Sequence, residues 1–177
     1  VILKLEDHIR TIPDHPKRGI QFRDITPLLA NRVAFNVAID QIVSGVTHEG
    51  LDAVAGIDAR GFIFGAAVAS ALGLGFIPIR KKGKLPGKVI SESYDLEYGT
   101  DTLEISVDDV EAGQRVLLID DLIATGGTAL AALSLLKRCK LEVVAANFVV
   151  DLPDLGGADK IQASGTPVKS LVSYPGH

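Results

Sequence analysis

The chain has 177 residues, enough for one domain with a substantial core, and its 47% apolar and 5% aromatic content describes a globular protein with a mainly aliphatic interior. Eighteen Lys plus Arg against 22 Asp plus Glu give a net charge of −4, which excludes a globally basic nucleic-acid binder. The single cysteine, Cys139, excludes an internal disulfide framework and a cysteine-rich zinc site, and is expected to pack at the end of a helix.

Residues 1–10 are expected to form a short amphipathic helix, ended by Pro13 and Pro16. A second helix is expected at about 33–48, with Phe35, Ile39, Ile42, Val43 and Val46 on one face. A buried strand follows at 52–57, then a helix at 61–72 whose small residues let it pack closely on a sheet, then a strand at 75–79. The basic run Arg80, Lys81, Lys82, Lys84 and Lys88 comes next, then a hairpin with strands near 88–94 and 102–107 and a tip around Tyr98-Gly99. Val116 to Ile119 is a short apolar run suited to a strand covered on both faces. A helix running to Lys137, a strand at 142–150, a short helix near 157–163 and a last strand near 168–174 complete the chain. Strands alternating with helices predict an α/β fold with a mostly parallel twisted sheet flanked by helices. The segment before residue 32 lies outside that alternation, and the whole chain is expected to be a single domain.

Arg115 to Thr128 carries the most chemistry, because the strand leads into Asp120 and Asp121, expected at its carboxyl end, and then into Ala124-Thr125-Gly126-Gly127-Thr128. Open α/β sheets bind ligands at that edge. A small-residue loop entering a helix can wrap backbone N–H groups around a phosphate, with two threonine hydroxyls as further donors. The paired acids would repel a bare phosphate, so their partners are the vicinal hydroxyls of a ribose or a metal beside it. No G-x-x-x-x-G-K-[ST] string occurs, and Gly73-Leu74-Gly75 lacks both the third glycine and the following helix of a dinucleotide fingerprint. His8, His15, His48 and His177 are scattered without metal-ligand spacing.

This constellation resembles the type I phosphoribosyltransferases, and most closely their adenine-specific members. Four further segments carry the closer likeness: Gly19-Ile20-Gln21-Phe22-Arg23-Asp24-Ile25-Thr26, Gly56-Ile57-Asp58-Ala59-Arg60-Gly61-Phe62, Ile79-Arg80-Lys81-Lys82-Gly83-Lys84-Leu85-Pro86-Gly87, and Tyr94-Asp95-Leu96-Glu97-Tyr98-Gly99. The resemblance implies a type I phosphoribosyltransferase-like fold with a small N-terminal hood over residues 1–31 and a basic loop and flexible hairpin over about 80–106. It also implies transfer of the 5-phosphoribosyl group from phosphoribosyl pyrophosphate to adenine, a purine salvage reaction giving AMP and pyrophosphate. Magnesium is the implied cofactor, held mainly through substrate oxygens and water with no direct protein ligand, and a homodimer is the implied assembly.

By the same resemblance, Ala124, Thr125, Gly126, Gly127 and Thr128 hold the 5′-phosphate, and Asp120 and Asp121 hold the ribose diol and face the cationic sugar. Arg60, Arg80, Lys81 and Lys84 take the pyrophosphate. Phe22 and Leu122 sandwich the base, and Arg23 reads its edge through the backbone while its side chain is equally able to pair with Asp24. Glu97 accepts the proton lost from adenine, and Tyr98 shields the anomeric centre. Two positions depart from the usual hood: Arg18 stands where a proline is common, and Gln21 where an apolar residue is usual.

The alternatives are a phosphoribosyltransferase for another base and a non-catalytic nucleotide-sensing regulator on the same fold. The acidic charge disfavours the regulator, which would need a basic DNA-reading element. No charged segment with an apolar core opens the chain and the apolar stretch 62–71 is too short to span a bilayer, so the expected location is cytoplasmic, with no membrane or nucleic-acid partner.

Overall fold

The computed structural model describes residues 2–46, 50–96 and 99–176. Its core is a seven-stranded sheet made of β3 (Ala53–Ile57), β4 (Gly75–Lys81), β5 (Val89–Asp95), β6 (Thr100–Ser106), β7 (Arg115–Ile123), β8 (Glu142–Asp151) and β9 (Val168–Ser173), in the spatial order β5-β6-β4-β3-β7-β8-β9. The five strands from β4 to β9 in that order are parallel, and the hairpin β5–β6 adds antiparallel to β4 through Arg80↔Glu104 and Lys81↔Leu103. The sheet is the mostly parallel α/β sheet expected of the sequence.

Alternation along the central strands divides two cores. Ala53, Ala55 and Ile57 of β3 and Val116 and Leu118 of β7 face helices α4 (Gly127–Arg138) and α5 (Gly157–Ala163). Val54, Leu117 and Ile119 point the other way, onto α1 (Thr26–Ala30), α2 (Arg32–Ser44) and α3 (Arg60–Leu72). Both faces of the middle strands are therefore dry, which is why they read as continuous apolar runs. Cys139 caps the end of α4, half-buried, with burial pushing its thiol pKa up.

The N-terminal segment corrects the sequence expectation. Instead of one helix over residues 1–10 there is a single 3-10 turn at Leu5–His8, whose Leu5 and the following Ile9 are buried against the α1–α3 core. A two-stranded antiparallel ribbon follows, β1 (Arg10–Ile12) with β2 (Phe22–Asp24), and then α1, which the sequence pattern does not mark. Asp24 turns the chain from β2 into α1: its Oδ1 accepts the Thr26 backbone N–H at 2.9 Å and the Thr26 hydroxyl at 2.6 Å. The signature strand is also longer than expected. Pairing continues through Asp120↔Phe148, Leu122↔Val150 and Ile123↔Asp151, so Asp120 and Asp121 lie within β7 rather than beyond it. The second helix ends at Ser44 instead of 48, and β4 runs on to Lys81, taking in the first two residues of the basic run.

Candidate active site

A cleft of about 350 Å³ opens at the carboxyl ends of β3 and β7. Asp58, Ala59, Arg60, Lys81, Asp120, Asp121 and the segment 122–129 line it. This is the sheet edge where ligands are expected.

One wall is the loop Ala124 to Gly126 and the start of α4. The first turn of that helix leaves backbone N–H groups without intrahelical acceptors, and its dipole favours an anion there. The loop is braced from behind by α5. Gly157 donates its N–H to the Ala124 carbonyl at 3.0 Å, and Lys160 Nζ donates to the Thr125 carbonyl at 3.3 Å. A Cβ on Gly157 would come to 2.5 Å from the Ala124 oxygen and 2.7 Å from the Gly126 nitrogen, so only glycine fits this approach. The short helix was legible in the sequence; its contact with the loop at Ala124 to Gly126 was not.

The floor holds the acid pair. Asp121 is buried, and its Oδ2 accepts from Arg60 Nε at 2.6 Å. Asp120 Oδ1 accepts the Asp121 N–H at 2.8 Å. Burial pushes the Asp120 carboxyl well above the usual carboxylate range, the neighbouring Asp121 charge adds to the rise, and Arg60 opposes it. A Cβ on Gly61, the second residue of α3, would sit 2.8 Å from Asp120 Oδ1, so the helix approaches the acid closely only because that residue is glycine.

The opposite rim is cationic. Lys81 Nζ donates to Asp101 Oδ2 at 2.6 Å and to the Tyr94 hydroxyl at 2.9 Å, both on the hairpin. Burial alone would lower the lysine pKa, but the hydrogen bonds and charge of Asp101 and Tyr94 together outweigh it and the net shift is upward. Arg80 and Lys84 are not among the described lining residues. Arg80 turns toward Asp58, with Nε 3.5 Å from Oδ2, and lies over the Phe62 ring; exposed Lys84 accepts a hydrogen bond from Arg80 through its carbonyl at 3.4 Å. Asp58, which the sequence pattern placed in a motif without giving it a role, lines the cleft and accepts the Lys81 N–H at 3.3 Å. Its signal was the same as that of Asp120: an acid at the carboxyl end of a buried strand.

A second, more apolar slot of about 310 Å³ adjoins the first through Arg60, Leu122 and Ala124. Ile20, Gln21, Phe22, Arg23, Leu152 and Leu155 complete it. The slot brings Phe22, Arg23 and Leu122 together and adds Leu152 and Leu155, for which no local pattern could have spoken. The Arg23 side chain does not pair with Asp24; its Nη1 donates to Thr11 Oγ1 at 2.6 Å, and Asp24 faces Arg10 at 3.5 Å. Glu97 and Tyr98 lie outside the described residues. The hairpin next to them reaches the cleft, since Tyr94 and the Asp95 carbonyl lie beside Gly127.

Among the described residues no cluster of three or more His, Cys, Asp or Glu is placed to hold a metal, and no helix is long and apolar enough to cross a membrane. The model of the phosphoribosyl transferase domain matches residues 30–169. The adenine phosphoribosyltransferase of Maricaulis maris is 56% identical over 98% of this chain and 99% of its own. The adenine phosphoribosyltransferase structure from Rhodothermus marinus superposes with a TM-score of 0.89 at 45% identity, covering 96% of each chain. That of Trypanosoma brucei, in complex with AMP, pyrophosphate and ribose-5-phosphate, gives 0.87 at 27% identity, covering 96% of this chain and 78% of that one. These likenesses show that the chain belongs to the phosphoribosyltransferase family, in its adenine phosphoribosyltransferase branch.

Proposed function

We propose that this chain transfers the 5-phosphoribosyl group of phosphoribosyl pyrophosphate to adenine, releasing pyrophosphate and forming AMP. The observation that carries this reading is the joining of two unlike cavities at Arg60, Leu122 and Ala124. One suits a phosphorylated sugar and the other a flat apolar base, so a bond made between their ligands would form at that junction.

In this reading the N–H groups and hydroxyls of Ala124 to Thr128 hold the 5′-phosphate. Asp120 and Asp121 face the ribose, accepting from its hydroxyls and favouring positive charge as the bond from the anomeric carbon to pyrophosphate breaks. Arg60 and Lys81 receive the leaving group. Lys81 must then exchange Asp101 for a pyrophosphate oxygen, which couples donor binding to the hairpin. Arg80 and Lys84 meet pyrophosphate only if the loop after β4 turns inward. Phe22 and Leu122 flank adenine and the Arg23 backbone reads its edge. Glu97 takes the proton from the ring nitrogen as it bonds to the sugar, and Tyr98 keeps water from the activated carbon.

Magnesium takes hard oxygen donors, and of the cleft's aspartates Asp121 is engaged by Arg60 and Asp58 faces Arg80, so the described residues offer no closed donor set of their own. Asp58 and Asp120 would help hold a magnesium ion brought in with the substrate. When bound, the ion would neutralise charge on the departing pyrophosphate. We further infer one catalytic domain per chain, a homodimeric assembly and a cytoplasmic location.

The test is product identification: enzyme, magnesium, adenine and phosphoribosyl pyrophosphate should yield AMP and pyrophosphate in equal amounts. Glu97→Gln should slow single-turnover AMP formation by about 10²–10⁴-fold with donor affinity retained. Formation of AMP at the native rate in that variant would remove Glu97 from the chemistry.

A further inference from the structure

The walls of the apolar slot are held in different ways. Leu152 and Leu155 stand on the chain leaving β8, anchored to the main sheet. Phe22 and Arg23 belong to the β1–β2 ribbon, and two strands alone are marginal in water. Buried Ile9 and Ile25 hold the ribbon's two ends to the core, and side chains that cross from the ribbon to the sheet set its lean between those ends.

Arg23 makes that crossing. Its guanidinium carbon lies 4.3 Å from the centre of the Tyr174 ring, just after β9, while its Nη1 is tied back to Thr11 of β1. Arg23 Nε and the Tyr174 hydroxyl are both buried with no hydrogen-bond partner among the described residues, so the ring face, not a hydrogen bond, joins them. Tyr174 is itself fixed. Its N–H donates to the Asp151 carbonyl at 3.0 Å, and the Gly176 N–H donates to Asp154 Oδ2 at 2.7 Å. Asp151 and Asp154 bracket Leu152, and Asp154 immediately precedes Leu155. The clamp that holds the tyrosine thus also holds the far wall of the slot.

We propose that Tyr174 is a positioning residue for the purine: its ring is the platform on which Arg23 rests, and it sets the spacing between the Phe22–Arg23 wall and the Leu152–Leu155 wall. Tyr174 is not among the described residues that line the slot, so it acts through Arg23 and not by touching the base. The donor cleft, built on β3, β7 and α4, does not depend on this contact. The proposal rests on the adenine reading above.

The experiment compares Tyr174→Leu and Tyr174→Phe with the native protein, varying adenine and phosphoribosyl pyrophosphate separately. Tyr174→Leu removes the ring face and should raise the KM for adenine by about tenfold, the order expected of a desolvated cation–π contact, with kcat and the donor KM unchanged. Tyr174→Phe keeps the ring and loses only an unpartnered hydroxyl, so it should match the native protein. Hydrogen exchange measured without substrate should rise over residues 10–24 in Tyr174→Leu and stay unchanged in β7. A folded Tyr174→Leu with native adenine KM, equal losses for both substrates, or a Tyr174→Phe as impaired as Tyr174→Leu would overturn the proposal. If Tyr174→Leu does not fold, Thr11→Val cuts the other tie of Arg23 and should also raise the adenine KM alone; an unchanged value would overturn it. Failure of the native protein to make AMP would refute the adenine reading, whereas the substrate-free exchange experiment judges the platform independently.

Discussion

Arg60 Nε lies 2.6 Å from the buried Oδ2 of Asp121, while the rest of the arginine stays half exposed in the cleft. The acid therefore holds one edge of the guanidinium and leaves the other nitrogens facing the space where the two cavities meet. A forked, planar cation gripped in this way can offer two parallel hydrogen bonds to a phosphate, which a lysine ammonium cannot. Arg60→Lys should raise the KM for pyrophosphate in the reverse reaction by roughly tenfold to a hundredfold, the worth of one or two charge-assisted hydrogen bonds. Initial rates at varied pyrophosphate check this, with thermal unfolding as the control for an intact fold.

Asp120→Asn is nearly isosteric and keeps an oxygen to accept the Asp121 N–H, so it should fold normally. It removes the carboxylate that would ionise against the cationic sugar, and kcat should fall by about 10²–10³-fold. Thermal unfolding next to steady-state rates separates the two effects.

Gly157→Ala places a methyl against the Ala124 carbonyl and the Gly126 nitrogen without touching any proposed ligand. The phosphate loop must shift, so the KM for phosphoribosyl pyrophosphate should rise while binding of adenine to the apolar slot is largely spared. Titration calorimetry with each ligand tests this selectivity.

Glu104 supplies the pH-dependent case. The Gly83 N–H at 2.8 Å and then the Ser91 hydroxyl at 2.7 Å hold its carboxyl below the usual range. A depressed folded-state pKa means that its stabilisation is fully present above the unfolded carboxyl pKa and is lost as pH falls through the lower folded value. Glu104→Gln should therefore melt below the native protein at pH 7, and the gap should close as pH drops below about 4. Melting curves across that range give the sign directly.

The signature strand, its helix and the 3.6-residue pattern of α2 were legible because local periodicity and burial agree there. The hood was not. Phe22, Arg23 and Asp24 form a strand too short to show alternation, and α1 is a five-residue helix started by an Asp24–Thr26 contact instead of an amphipathic repeat. The extent of β7 escaped for a different reason: Asp120 and Asp121 resemble a strand end, but the length of β8 beside them keeps the ladder going to Ile123. The phosphate loop could be found from its own residues. Its brace at Gly157 and the slot wall at Leu152 and Leu155 are long-range contacts, and no local pattern encodes them.

The central claim is that the slot bounded by Phe22, Leu122, Leu152 and Leu155 receives adenine beside a bound phosphoribosyl donor. A side-by-side measurement of kcat/KM for adenine, hypoxanthine, guanine, xanthine, orotate and uracil, each with phosphoribosyl pyrophosphate and magnesium, tests it most directly. The account predicts AMP from adenine at a kcat/KM at least about 10²-fold above every other base, the discrimination a slot with fixed polar edges supplies when a base cannot satisfy them. Turnover of another base at equal or greater efficiency, or release of pyrophosphate with no nucleotide formed, would contradict it.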